Sequence, residues 1–180
     1  KYPENKEIDM MCLYWLSDCY YQLRDYTKAI NYYTEFISTP SNSLMDKVSV
    51  SKYNLAYAYF QSKQYSQSVK YFRKAINSDL DDSRMQDSKL RLADSYFMLS
   101  DFKNASRYYE KSIENNTSKD YALYQESKCY ALLSDYRKQE ECLSELISTF
   151  EESPYYQRSL FDMANLYKNQ DENEEALSYY

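Results

Sequence analysis

The sequence predicts an all-α fold built from stacked pairs of antiparallel helices. Three observations carry that expectation: the chain has no glycine, its apolar residues recur at helical spacing, and five stretches of it align with one another. At a usual glycine content of about 7%, a chain of this size holds about a dozen. These 180 residues hold none. All-β architectures, which need many tight turns at φ > 0, are therefore disfavoured.

The same composition removes whole classes of chemistry. Without glycine there is no phosphate-cradling loop, no dinucleotide-binding turn and no nucleophile elbow. Without histidine there is no Ser/His/Asp or Cys/His nucleophile system and no histidine-bearing zinc site. Carboxylate pairs such as Glu140/Glu141 and Glu174/Glu175 read as solvated helix surface, because adjacent residues on a helix point apart. No enzyme activity, cofactor or metal is expected. Twenty-two basic against 28 acidic side chains leave a net charge of −6. Residues 1–138 carry 20 basic and 18 acidic groups, and residues 139–180 carry 2 and 10. On that balance nucleic acid is not an expected partner. No apolar run is long enough for a membrane span. Cys12 and Cys19 are too far apart along one helix for a disulfide, Cys129 and Cys142 fall on neighbouring helices, and all four are expected as buried free thiols.

The elements follow from the internal repeat. Residues 16–33, 55–72, 92–109, 126–143 and 163–180 align without gaps. One column holds Tyr20, Tyr59, Tyr96, Tyr130 and Tyr167, at spacings of 39, 37, 34 and 37. Others hold Tyr26, Tyr65, Phe102, Tyr136 and Asn173; Ala29, Ser68, Ala105, Gln139 and Ala176; and Tyr33, Phe72, Tyr109, Leu143 and Tyr180. A small-residue column holds Ser17, Ala56, Ala93, Ser127 and Ala164. In the first unit Leu13, Leu16, Tyr20 and Leu23 line one helix face, and Ala29, Tyr33 and Phe36 line a second helix after a break. Asp25, Asp101 and Asp135 stand at such breaks, where a carboxylate caps the free N–H groups of the next helix. Junctions between units carry Pro3, Pro40 and Pro154 and the polar clusters 40–43, 79–83 and 115–118. Ser153 before Pro154 reads as an N-cap with proline at the first helical position. Each unit is thus a helix pair that cannot bury its apolar face alone, so units must stack. The expected units are about 8–43, 44–82, 83–118, 119–153 and 154–180, in one solenoid domain. Pro3 at the beginning and Tyr180 inside a second helix suggest a piece of a longer repeat array. Two glycosylation sequons, at Asn104 and Asn116, read as chance matches.

These columns resemble the tetratricopeptide repeat (TPR). The segments LSDCY…DY…A…Y and LADSY…DF…A…Y of the first and third units match that family's pattern, and the resemblance spans nearly the whole chain. It implies a right-handed α-α superhelix. Units of 37–39 residues exceed the family's usual 34 and are similar to those of bacterial envelope-associated members, a resemblance that leans toward the bacterial cell envelope or periplasm, with the cytoplasm as the alternative. Two departures matter. Arg24, Lys63, Ser100, Ser134 and Asp171 stand where the family has a turn glycine, so turns that avoid φ > 0 are expected. The fourth unit has Glu126 where leucine is expected and Gln139 where alanine is expected.

The resemblance also implies a concave wall made by the first helices. Carried over residue by residue, that wall includes Lys128, Arg158 and Asn165 and, as the candidate partner-binding residues, Tyr14, Tyr53, Tyr57, Phe60, Phe97, Tyr121 and Tyr124. Tyrosine gives large contact area at low entropic cost, although the same rings would equally serve as packing between helices. The Lys/Asn set with which some relatives hold a peptide carboxylate is absent from the first three units. The expected function is a noncatalytic scaffold that binds a partner peptide or helix. The alternative is glycan binding in a bacterial nutrient-uptake system, which the single tryptophan, Trp15, disfavours.

Overall fold

The computed structural model describes residues 6–39, 42–113 and 118–180. Pro3, Pro40 with Ser41, and residues 114–117, including Asn116 of the second sequon, lie outside the described residues. Among the described residues ten α-helices run in chain order: α1 (Lys6–Gln22), α2 (Tyr26–Ser38), α3 (Met45–Gln61), α4 (Tyr65–Ile76), α5 (Asp82–Met98), α6 (Phe102–Ile113), α7 (Lys119–Leu132), α8 (Tyr136–Thr149), α9 (Tyr156–Asn169) and α10 (Asn173–Tyr179). One 3₁₀ turn, Asn42–Leu44, leads into α3, and there is no strand among the described residues. The chain falls into two compact units, one up to Leu99 and one from Ser100 to Tyr180. In the first, α1 packs on α2, α2 on α3, α3 on α4 and α4 on α5, and the first helices α1, α3 and α5 touch in succession. In the second, α6 packs on α7, α7 on α8, α8 on α9 and α9 on α10.

The turns overturn one expectation. Arg24, Lys63, Ser100, Ser134 and Asp171 all adopt positive φ, at 61°, 59°, 60°, 58° and 64°. The reason lies in the helix end, which leaves carbonyls without partners. After α1, Asp25 N donates to Tyr20 O and Arg24 N to Tyr21 O, both at 2.9 Å. The same double closure follows α3 (Gln64 N to Tyr59 O), α7 (Asp135 N to Tyr130 O) and α9 (Glu172 N to Tyr167 O), at 2.9, 2.9 and 3.0 Å. This is the Schellman arrangement. A left-handed non-glycine residue costs roughly 1–2 kcal/mol, and two recovered carbonyl bonds at about 1 kcal/mol each offset it. The next residue then starts the second helix. Asp25 accepts from Lys28 N at 3.1 Å, Asp101 from Asn104 N at 3.2 Å and Asp135 from Lys138 N at 3.3 Å, as their positions predict. Asp81 caps α5 in the same way.

Inside the pairs, the columns are buried as their composition requires. Ala56, Ala93 and Ala164 have no exposure, and Ser17 and Ser127 are buried with their hydroxyls turned back to Tyr14 O and Tyr124 O at 2.7 Å. Tyr33, Phe72, Tyr109 and Leu143 are buried, whereas Tyr180 of the same column is exposed. The tyrosine column stacks on a second tyrosine twelve residues later. Tyr20 lies flat on Tyr32, Tyr59 on Tyr71 and Tyr167 on Tyr179, with centroids 5.4, 5.4 and 5.7 Å apart. Such pairs join the two helices of a unit with large apolar area.

Three smaller expectations need correction. Cys129 and Cys142 are buried free thiols, but Cys12 and Cys19 are exposed, because both lie on the face of α1 turned from its neighbours. Leu16 of the same helix is exposed as well, and so is Leu23 in the turn that follows it. Helix α9 starts at Tyr156, not at Pro154: Ser153 Oγ accepts from Tyr155 N at 3.1 Å and donates to Asp120 at 2.6 Å, which holds a turn ahead of the helix.

The fourth repeat solves its two odd positions together. Cys142 stands where the other repeats place the stacking tyrosine, and the smaller side chain admits Glu126, which is only 4% exposed. Glu126 meets the Tyr130 hydroxyl and the Cys142 thiol, with Lys138 and Glu110 nearby. Burial pushes its carboxyl up to about 7, and the neighbouring Glu110 adds to the rise. Between the unfolded value near 4.5 and this folded value, the folded chain binds the extra proton. Stability must therefore fall as pH rises through that interval and level off above it.

Two outcomes are expected. Lys63→Gly should raise the unfolding free energy by about 1 kcal/mol and Lys63→Val should lower it by at least about as much, read by urea titration with helical circular dichroism. Wild-type protein should lose on the order of 3 kcal/mol between about pH 4.5 and pH 7.5 from Glu126, and Glu126→Gln should flatten that part of the urea-midpoint profile.

Candidate functional site

The wall expected to bind a partner is made by successive first helices, and its residues are half-buried on α1, α3 and α5 in the first unit. Three to four residues separate its members on each helix, so their side chains share one face. Tyr14 sits over the Met10/Phe36/Leu44/Val48 cluster, with its ring 5.6 Å from Phe36 and Lys47 at 6.0 Å above it. Phe60 packs edge-on against Tyr65 at 5.4 Å, and Phe97 is half-buried.

Tyr53 and Tyr57 are tied to the next first helix. Both hydroxyls donate to one oxygen of Asp87 on α5, Tyr53 at 2.8 Å. Arg91, one turn further on, donates from Nε to the Tyr57 hydroxyl at 3.0 Å and lies 3.4 Å from the other Asp87 oxygen. Its Nη1 reaches Asp94 at 2.7 Å. Burial, with the Asp87 carboxylate alongside, holds both tyrosine hydroxyls above their ordinary range. A lighter version joins α1 to α3: Asn54 donates to the Tyr33 hydroxyl at 3.1 Å, and that hydroxyl faces Asp18 at 3.4 Å. These networks order the first helices in register, and the Tyr53 and Tyr57 rings meet each other at 5.0 Å and Phe72 at 6.4 and 5.3 Å, all edge-on.

In the second unit a cleft of about 420 Å³ lies between α7 and α9, bordered by the start of α8. Tyr124, Lys128, Arg158, Asp162, Asn165 and Asn169 line it. Tyr124 stacks on Tyr155 at 5.1 Å, and Tyr121, one turn earlier, leans on the same ring at 5.7 Å. Lys128 stands 5.6 Å from the Tyr124 centroid. Arg158 lies 3.4 Å from Asp162, whose carboxyl burial raises against the pull of Arg158. The cleft thus offers an aromatic floor, two cations, one carboxylate and two amides, a set able to grip a main chain and read a polar side chain.

The candidate residues consequently divide by surroundings. Tyr14, Tyr53, Tyr57, Phe60 and Phe97 belong to the first unit; Tyr121 and Tyr124 belong to the second. Sequence reasoning placed Lys128, Arg158 and Asn165 on the wall without choosing them, and missed Asp162 and Asn169. Their spacing along α9, at 158, 162, 165 and 169, is one helix face and was available as a signal. Glu140 is no solvated pair member, since it accepts the Tyr167 hydroxyl at 2.6 Å. Among the described residues no group of three His, Cys, Asp or Glu side chains could hold a metal ion.

Family models for the tetratricopeptide repeat match residues 11–42, 50–82 and 87–118, more than half of the chain. The chain belongs to the tetratricopeptide repeat family. Solved structures agree at the level of the fold. A crystal structure of MamA protein superposes with a TM-score of 0.77 at 18% identity, over 94% of this chain and 87% of that one. YrrB, described as a TPR protein with an unusual peptide-binding site, gives 0.72 at 16% identity, over 91% and 78%. The TPR-like repeats of a putative kinesin light chain from Podosopora anserina give 0.68 at 16%, over 95% and 91%. No curated protein matches this sequence. In this TPR chain the family's alternation of first and second helices accounts for why every wall residue comes from α1, α3, α5, α7 or α9.

Removing the shared acceptor tests the first-unit network. Asp87→Ala should lower the unfolding free energy by about 2 kcal/mol, since it strands two hydroxyls and one partner of Arg91. Tyr53→Phe should cost about 1 kcal/mol or less. A denaturant series on the three proteins gives both numbers.

Proposed function

We propose that this TPR protein is a noncatalytic scaffold that holds a segment of a partner protein against its first-helix wall. Membership of the family supports the interaction role, and the cleft between α7 and α9 is the observation that supports a groove. The candidate residues are Tyr14, Tyr53, Tyr57, Phe60 and Phe97 on the first unit and Tyr121 and Tyr124 on the second, with Tyr124 at the open cleft. Aromatic faces supply contact area, while Lys128, Arg158, Asn165 and Asn169 supply donors for the carbonyls or side-chain oxygens of an extended chain. The segment could enter without large rearrangement, because the cleft already exists.

A peptide-display selection tests this reading. Enriched peptides should bind in solution, and Lys128→Ala with Arg158→Ala should weaken them at least about tenfold with the thermal melt retained. Failure to enrich any peptide, or equal binding by the double variant, would refute it. Tyr53→Ala with Tyr57→Ala should reduce capture by peptides that span the first unit; a loss of stability alone would assign those two rings to packing.

A further inference from the structure

A second surface is carried by α4 and has no part in the first-helix wall. Residues 47–78 contain six basic side chains and no acidic one. Four of them converge. Lys70, Arg73 and Lys74 of α4 and Lys52 of α3 rim a shallow cleft of about 710 Å³, with Val69 on its floor and Asn77 at its end. Val69, Lys70, Arg73, Lys74 and Asn77 follow a spacing of one, three, one and three, a single helix face. Lys70, Arg73 and Lys74 are exposed, and none of the four cations has a carboxylate within 4 Å among the described residues. Lys70 and Lys74 flank only the Tyr71 ring, at 5.7 and 4.8 Å. Other surface cations have carboxylate partners: Lys28 with Asp25, Arg84 with Asp81, Lys119 with Glu145, Arg137 with Glu141. The α4 face is thus a concentration of unneutralised positive charge on a chain whose net charge is −6.

Its complement lies in the same sequence. Asp171, Glu172, Glu174 and Glu175, at the turn into α10, are all exposed, and no cation pairs with them among the described residues. Four carboxylates within five residues face the same count of cations that the α4 cleft gathers. We propose that the basic face of α4 in one copy of this chain receives the Asp171–Glu175 segment of a second copy. Two different patches meet, so the contact is heterologous and can add further copies. A long polyanion such as nucleic acid fits less well, because the remainder of the chain would repel it, whereas a short acidic turn engages the patch alone. Exposed ion pairs give weak, salt-sensitive contacts, so the association belongs to high protein concentration and low ionic strength.

Sedimentation velocity on the full chain tests the proposal. At about 0.05 M salt the average mass should climb with concentration up to a few hundred micromolar, and at about 0.5 M salt it should return to the monomer, as screening shortens from beyond 10 Å to a few Å. K70E/R73E/K74E and E172K/E174K/E175K should each weaken association at least about tenfold when alone. Mixed in equal amounts they should associate again, because each then carries the complement of the other. Helical circular dichroism confirms that both variants are folded, and K70Q/R73Q/K74Q replaces the first if it is not. A monomer at every concentration in low salt overturns the proposal. So does association that the substitutions leave unchanged, or a mixture that stays monomeric. Salt-dependent binding of duplex DNA by a protein that remains monomeric would assign the patch to a polyanion instead.

Discussion

The left-handed residue at the end of each first helix is the constraint on which the packing depends. A helix pair buries its apolar stripes only if the chain reverses within a few residues and the second helix starts at a fixed angle. The double closure onto Tyr20, Tyr59, Tyr130 and Tyr167 carbonyls sets that reversal, and an acidic cap at the next residue after α1 and α7 starts the second helix. Glycine would reach this geometry without strain, yet arginine, lysine, serine and aspartate do so here. The hydrogen bonds gained at the helix end outweigh the steric cost, so the fold tolerates a total absence of glycine.

With the reversal set, contact between helices is governed by residue size. Alanine or serine in the small-residue columns lets backbones approach, and a tyrosine on each helix stacks across the pair. Where one of those tyrosines becomes Cys142, the vacated volume is taken by a carboxylate that the rest of the array could not bury. Glu126 links a packing defect to acidity: its burial makes the second unit's stability depend on pH near neutrality. One substitution in a repeat column thus changes the electrostatics of a neighbouring column through volume alone.

The side chains of the first-helix wall divide between packing and the border of an open cleft. Tyr53 and Tyr57 give their hydroxyls to Asp87 and pack their rings edge-on against each other and Phe72, whereas Tyr124 borders an open cleft. Charge follows another division. The wall mixes signs, while α4 collects cations and the turn into α10 collects carboxylates. Long-stretch charge counts average these patches away, and for that reason the α4 face is invisible in the near balance of residues 1–138.

Much of the fold was legible in the residues themselves. Helical periodicity, five aligned columns and three aspartate caps specify the helix pairs, because these are local properties of the chain and repetition multiplies the signal. The family resemblance rests on the same columns. Turn conformation was misread, since a residue's type reports its preference in isolation and not the carbonyls waiting at a helix end. The exposure of Cys12 and Cys19, the burial of Glu126 and the late start of α9 depend on which neighbours arrive from elsewhere in the chain. The site divides in the same way: sequence alone determined which helix faces carry aromatic rings, and only the tertiary structure decided which rings are tied to a carboxylate across a helix boundary and which border an open cleft. Distances between residues some thirty positions apart, such as Tyr57 and Asp87, exist only once the helices have packed.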